Sequence, residues 1–204
     1  MKRICFISPK AYQLFNESVE TVFGGAEVQL SLIAKEMAKY QDIDIHFMVA
    51  DYGQNTIEEY DNVKVWKSLN FKTNILKQIL TFFKVFKKID ADIYIQRTLT
   101  PFSGLIALYC KLMKKKFVYM VAHDTESDNT HRVYKKPLSG QLSKLVFKLS
   151  DIIIAQNEYQ KENLEMRNIK SHIIKSSYFI NDFDGNTSGK YHLWVARSDN
   201  WKRP

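Results

Sequence analysis

The sequence predicts an α/β protein built on a Rossmann-like, mostly parallel sheet with helices on both faces. Three observations predict it. Short apolar runs alternate with helical stretches along most of the chain, which is the rhythm of successive βα units. The interior runs, such as "KFVYMVAHD" at 116–124 and "DIIIAQN" at 151–157, are nearly continuous in their apolar character, as expected of strands covered on both faces. Polar residues then follow the strands at their carboxyl ends, where open parallel sheets bind ligands.

Taken in order, "KRICFIS" at 2–8 is the first strand, stopped by Ser8-Pro9, and a long polar loop runs to Phe23. Gly24-Gly25 opens a helix on "AEVQLSLIAKEMAKY", with Ala26, Leu30, Ile33, Met37 and Tyr40 on one face. "DIDIHFMVA" is a strand whose Ile43, Ile45, Phe47 and Val49 share a side, and "VKVWKSL" is a short third strand. "ILKQILTFFKVFKKI" is a helix with a stripe of Ile75, Ile79, Phe82, Phe86 and Ile89. "ADIYIQR" is a strand, and "PFSGLIALYCKLM" is a helix with Pro101 suited to its first turn. After the strand "KFVYMVAHD" a mobile-looking polar loop is expected from Thr125 to Pro137. "LSKLVFKLS" is a helix, "DIIIAQN" a strand, "EYQKENLEMR" a helix and "HIIKSSY" a late strand. No segment repeats.

The 204 residues are enough for one sizeable core and short for two ordinary domains. A formal net charge of +8 permits acidic partners such as nucleotide phosphates, nucleic acid or an anionic membrane surface, and selects none of them. No nucleic-acid motif accompanies the charge, so no nucleic-acid partner is expected. Cys5 and Cys110 both sit in apolar surroundings and read as buried thiols. With no disulfide framework, no zinc-type spacing, no signal peptide and no apolar run near 18 residues, a cytoplasmic protein without metal or cofactor is expected.

Four places fall at the predicted ligand edge: Ser8 to Gly25, Arg97 to Pro101, His123-Asp124, and Asn157 to Tyr159. Gly24 and Gly25 allow bare backbone to approach a ligand at a helix N-terminus, which suits phosphate. They equally suit a flexible lead into a helix, and Glu27 equally suits compensation of the helix dipole. His123 could donate to a substrate oxygen as a partly buried neutral imidazole, or be structural. Asp124 could accept a hydrogen bond, or cap the segment after it. Arg97 could hold an anion or form a salt bridge. Asn157 and Tyr159 could contact a ligand, with helix capping the plainer role for Asn157. Lys84, Lys87, Lys88, Lys114, Lys115 and Lys116 fit either an interfacial helix face at an anionic membrane or an ordinary solvated face.

In combination these segments resemble the N-terminal domain of the GT-B glycosyltransferases of family 4. "FGGAEVQ" is similar to the family's GGAE element, "VAHDTES" to its strand ending in HD, and "YIQRTLTPFSG" to its Y-x-R strand. "IIIAQNEYQKENL" and "HLWVARSDNWKRP" are similar to two later elements, the last being the opening of the second domain. The resemblance spans nearly the whole chain and implies an N-terminal acceptor-side domain over 1–184, a linker over 185–191, and the first strand of a donor-binding domain over 192–204. It implies a retaining, metal-independent transfer from a nucleotide-sugar, UDP- or GDP-linked, to a saccharide or lipid-linked saccharide. Arg197 and Lys202 match the pair that neutralises the donor diphosphate, Gly24 and Gly25 the loop over it, and His123 a residue near the donor sugar. Ala196 departs from the family's usual Gly. With so little of the second domain in the sequence, the chain by itself is expected to be inactive, the transferase being the intact protein. Two rival readings stand beside it: a non-enzymatic carbohydrate-binding module, and a nucleotide-sugar epimerase of the same two-domain fold, for which Asp124 is the one tempting general base.

Overall fold

In the computed structural model, residues 1–135 and 137–176 are described, 138 and 139 by backbone alone. The expected boundary at 184, the linker, the final strand, Arg197 and Lys202 lie outside the described residues.

The chain forms β1 (Lys2–Ile7), α1 (Gly25–Met37), β2 (Ile43–Val49), β3 (Ile57–Tyr60), β4 (Val63–Lys67) and α2 (Ile75–Ile89). It continues with β5 (Ile93–Arg97), α3 (Ser103–Leu112), β6 (Lys116–Met120), α4 (Asp124–Ser127), α5 (Pro137–Leu149), β7 (Ile152–Ala155), α6 (Glu158–Met166) and β8 (His172–Ile173). The strands make one eight-stranded sheet in the order β3-β4-β2-β1-β5-β6-β7-β8. Every pairing is parallel except β3 with β4. From β1 the chain first winds outward to β2 and β4, then crosses back to β5 on the other side of β1. That reversal makes the carboxyl ends of β1 and β5 the switch point of the sheet.

Both faces of the central strands are buried. Ile45, Phe47 and Val49 pack with Ile4, Phe6, Leu30 and Ala34 on one face. Cys5, Ile7, Met48 and Tyr94 pack on the other with Phe82, Phe86 and Ile89 of α2 and with Ile106 and Cys110 of α3. Tyr94 fixes the end of α2. Its ring stacks on Phe86 at 3.8 Å, its hydroxyl donates to the Phe86 carbonyl at 3.0 Å and it accepts from the Ala91 amide at 3.0 Å. The two thiols are buried as expected; burial pushes Cys110 up to about 12 and Cys5 well above its usual value, so neither is a nucleophile at neutral pH.

The hidden face of β2 is partly polar, although its alternation assigns that face to solvent. Trp66 Nε1 donates to His46 Nδ1 at 2.8 Å. That leaves His46 Nε2 to donate to Asp44 at 2.9 Å. Asp44 also accepts from Lys64 at 2.8 Å and Arg3 at 3.2 Å. Burial opposes ionisation of Asp44, but these hydrogen bonds outweigh it and hold its carboxyl below the usual range. Burial likewise lowers the His46 pKa despite Asp44.

Several local expectations are corrected. β3 is an unpredicted antiparallel edge strand. Tyr40 follows α1 and is exposed, while Gln29, Leu30, Ser31 and Ala34 form the buried face of that helix. Ile75 is exposed, and Val85 belongs to the stripe of α2 instead. Pro101 precedes α3 instead of opening it. The loop after β1 is not simply polar: Tyr12 is buried and its hydroxyl donates to Glu58 at 2.6 Å, tying the loop to β3. The segment after His123 is packed too. It holds α4 and a 3-10 turn at Arg132–Lys135, and Tyr134 donates to the Glu126 carbonyl at 3.0 Å.

α3 and α5 touch at Gly104, where a Cβ would lie 1.6 Å from the Leu142 carbonyl oxygen. Backbone cannot yield as a flexible side chain can. Gly104→Ala is expected to cost about 2 kcal/mol or more, read as a lowered urea midpoint with an unchanged slope.

Candidate functional site

The carboxyl ends of β5, β6 and β7 are joined by one polar network. Arg97, the last residue of β5, is buried, and its guanidinium donates to Gln156 Oε1 at 2.5 Å and Ser176 Oγ at 3.1 Å. Gln156 in turn donates from Nε2 to the Val121 carbonyl at 2.6 Å, and its own amide donates to Gln160 Oε1 at 2.8 Å. Gln160 Nε2 then donates to Asp124 Oδ1 at 2.9 Å. Three neighbouring strand ends are thereby held in one arrangement through side chains from 97, 156, 160 and 124. Arg97 is thus a buried strut between strand ends.

His123 sits outside this network at the mouth. It is exposed and is the N-cap residue of α4 in extended backbone, without a side-chain capping bond. That corrects the expectation of a partly buried imidazole and leaves the ring open to a ligand. Asp124 is exposed beside it and orientated by Gln160. Asn157 caps α6 through Oδ1, which accepts from the Gln160 amide at 2.8 Å. Tyr159 is exposed on the same helix.

At the switch point, Gly24 is the N-cap of α1 and its amide donates to Glu27 Oε2 at 2.8 Å. Glu27 therefore supplies the returning half of a capping box and satisfies the Gly24 amide, while Gly24, without a side chain, leaves the amides of the first turn uncapped by the N-cap residue. Gly24 has a φ of −130° and Gly25 is the first helical residue, so neither occupies left-handed backbone. Their use is the bare approach they give at the helix start. The structure brings Arg97, His123, Asp124 and Asn157 to one stretch of the sheet edge, with Gly24 and Gly25 heading the helix that follows β1.

The sequence reading missed Glu126. This glutamate is fully buried in α4, directly behind His123 and Asp124. Its Oε1 accepts from the Leu99 amide at 3.2 Å, and its Oε2 from Tyr119 Oη at 2.8 Å and the Ala122 amide at 3.1 Å. One carboxyl thus pins the loop after β5 to the loop after β6. The residue before Leu99, Thr98, has a φ of 76°, a strained value for a β-branched side chain that persists only where its surroundings impose it. Burial pushes the Glu126 pKa up to about 7, against the hydrogen bonds from Ala122, Tyr119 and Leu99.

Among the described residues no group of three or more His, Cys, Asp or Glu side chains is placed to hold a metal ion. A cavity of about 610 Å³ lined by Lys144, Phe147, Arg167 and Lys170 runs along the start of β7, at the other end of that strand from Gln156, so it is separate from this site.

No family model and no curated protein matches the sequence. Solved structures do match. Sucrose-phosphate synthase from Thermosynechococcus elongatus aligns with a TM-score of 0.63 and 11% identity over 86% of this chain and 48% of its own. UDP-GlcNAc 2-epimerase from Neisseria meningitidis, bound to UDP-GlcNAc, aligns at 0.55 and 13% over 83% and 44%. The UDP-GlcNAc 2-epimerase from Methanocaldococcus jannaschii aligns at 0.55 and 15% over 85% and 45%. The chain therefore spans about half the length of these structures. Its fold is the Rossmann-like α/β half of the GT-B architecture, and the neighbours named are enzymes of glycosyl transfer or nucleotide-sugar epimerisation.

Glu126 generates a pH prediction. Its folded pKa of about 7 lies above the 4.5 of an unperturbed glutamate, so the native state binds the proton more tightly than the unfolded chain. Its contribution is complete below about pH 4.5 and is lost as pH rises through about 7, by roughly 3 kcal/mol in all. Chemical denaturation from about pH 5 to 8 should show the wild type losing this stability. Glu126→Gln, less stable at pH 5 because an amide cannot accept all three donors, should lose less over the same range.

Proposed function

We propose that this domain is the acceptor-side half of a nucleotide-sugar-dependent glycosyltransferase. The observation that carries the reading is the joint placement of Gly24-Gly25, His123 and Asp124 at the carboxyl edge of a GT-B half-fold, around the point where the winding reverses. In such a site the start of α1 offers free amides and a partial positive charge to a diphosphate. An exposed His123 offers a hydrogen bond to a sugar hydroxyl or to the leaving oxygen. Arg97, through Gln156 and Gln160, keeps Asp124 orientated toward the same mouth. Retention of configuration, the contribution of Arg197 and Lys202 to neutralising the leaving diphosphate, and a saccharide or lipid-linked acceptor follow from the family resemblance, which also supports this reading.

Epimerisation of a nucleotide-sugar is the second reading. It is favoured by one specific feature, the exposed Asp124 carboxylate at the mouth, a group of the kind that takes a proton from a sugar carbon. The same fold occurs in the epimerases above.

The test titrates the intact protein with UDP-, GDP- and dTDP-sugars by calorimetry, then analyses products. A transferase releases nucleoside diphosphate only when an acceptor is present; an epimerase converts the nucleotide-sugar to its epimer with no acceptor at all. His123→Ala should lower turnover roughly a hundredfold in the transferase reading while nucleotide affinity changes little. Binding of no nucleotide-sugar by the wild type would sink both enzymatic readings and favour a carbohydrate-binding module.

A further inference from the structure

We infer that the solvent face of the first half of α2, with the loop leading into it, docks this domain onto an anionic lipid bilayer. Phe71, Ile75, Leu76 and Leu80 are 51%, 59%, 70% and 71% exposed. Four large apolar side chains are thus offered to solvent within ten residues of chain, although the same helix has a filled core face of Phe82, Val85, Phe86 and Ile89. Single exposed apolar residues are ordinary, but a contiguous set marks a contact surface. Leu76 and Leu80 are one turn apart, and Lys84 and Lys87 continue their stripe down the helix, so apolar and cationic groups share one exposed face. Lys72 and Lys77 flank the apolar group.

Charge selects the occupant. No Asp or Glu occurs between Asp61 and Asp90, while Lys64, Lys67, Lys72, Lys77, Lys84, Lys87 and Lys88 all do. Among the described residues no carboxylate forms a salt bridge with Lys72, Lys77, Lys84, Lys87 or Lys88. A second copy seated on this face through a two-fold axis would bring the same lysines against each other. An anionic headgroup layer neutralises them while the leucines and Phe71 enter the acyl boundary. α2 begins beyond the carboxyl end of β4, so the apolar group stands at the sheet edge that carries His123 and Asp124. A domain docked in this way holds its site loops near the headgroups. The docking stands or falls independently of the enzymatic reading.

The experiment is co-sedimentation of the protein with vesicles of phosphatidylcholine alone and of phosphatidylcholine mixed with phosphatidylglycerol. Two variants on exposed positions accompany it, Leu76→Ser with Leu80→Ser and Lys77→Gln with Lys84→Gln, each checked for an unchanged circular-dichroism spectrum. Binding is expected to the mixed vesicles, weakened by salt, with each variant lowering the partition coefficient about tenfold or more. Equal partition onto both vesicle types, or partition that neither variant changes, overturns the docking. A dimer of the wild type in sedimentation velocity that the leucine variant dissolves also overturns it, and assigns the face to a second copy.

Discussion

A parallel strand pair cannot be closed by a tight turn; each connection must travel back across a face of the sheet before the next strand can start. This constraint governs the molecule. Because seven strands run the same way, all their carboxyl ends meet at one edge, and the loops that leave them are gathered there. The reversal of winding at β1 then parts the loops after β1 and β5 and opens a crevice between them. Residues distant in sequence become neighbours by topology alone, and the helices needed for the return journeys supply the two buried faces.

Loops gathered at an edge still have to be held. Two devices hold them: the lateral chain from Arg97 through Gln156 and Gln160 to Asp124, and the buried carboxyl of Glu126 behind it. They differ physically. The first runs from a guanidinium through two side-chain amides to a carboxylate, and it sets the positions of strand ends. The second carries a group that titrates near neutrality and sets the path of two loops, including the strained backbone at Thr98. Polar groups buried in this way are stable only when each finds its partners, so the position of one loop depends on the others.

The strands and long helices were legible because their signal is local. A run such as "IIIA" or the 3.6-residue period of α2 is visible in any window of ten residues. β3 was not legible: "IEEY" has neither alternation nor apolar length, and it is a strand because β4 offers backbone partners. The burial of Asp44 and His46 was hidden for a related reason, since an alternating pattern implies a wet face and only the Trp66 and Lys64 partners remove that need. At the candidate site, position at a strand end marked His123, Asp124, Arg97 and Asn157. Their relations did not show, because Arg97 meets Gln156 across 59 residues of chain. Glu126 lies in a stretch that reads as a polar loop; its burial requires donors from Leu99, Tyr119 and Ala122, and no short window contains them all.

The antiparallel β3 has a consequence of its own. An open sheet ends in a row of unpaired amides and carbonyls, which is a template for another chain. Here the outermost strand on that side is four residues long and carries Glu58 and Glu59. Glu58 is already engaged by Tyr12, Tyr60 and Asn55. A foreign strand laid along it would gain few ladder bonds and would have to accommodate two adjacent carboxylates. The hairpin thus finishes the sheet as a hem finishes cloth, and keeps that border from propagating into a fibre.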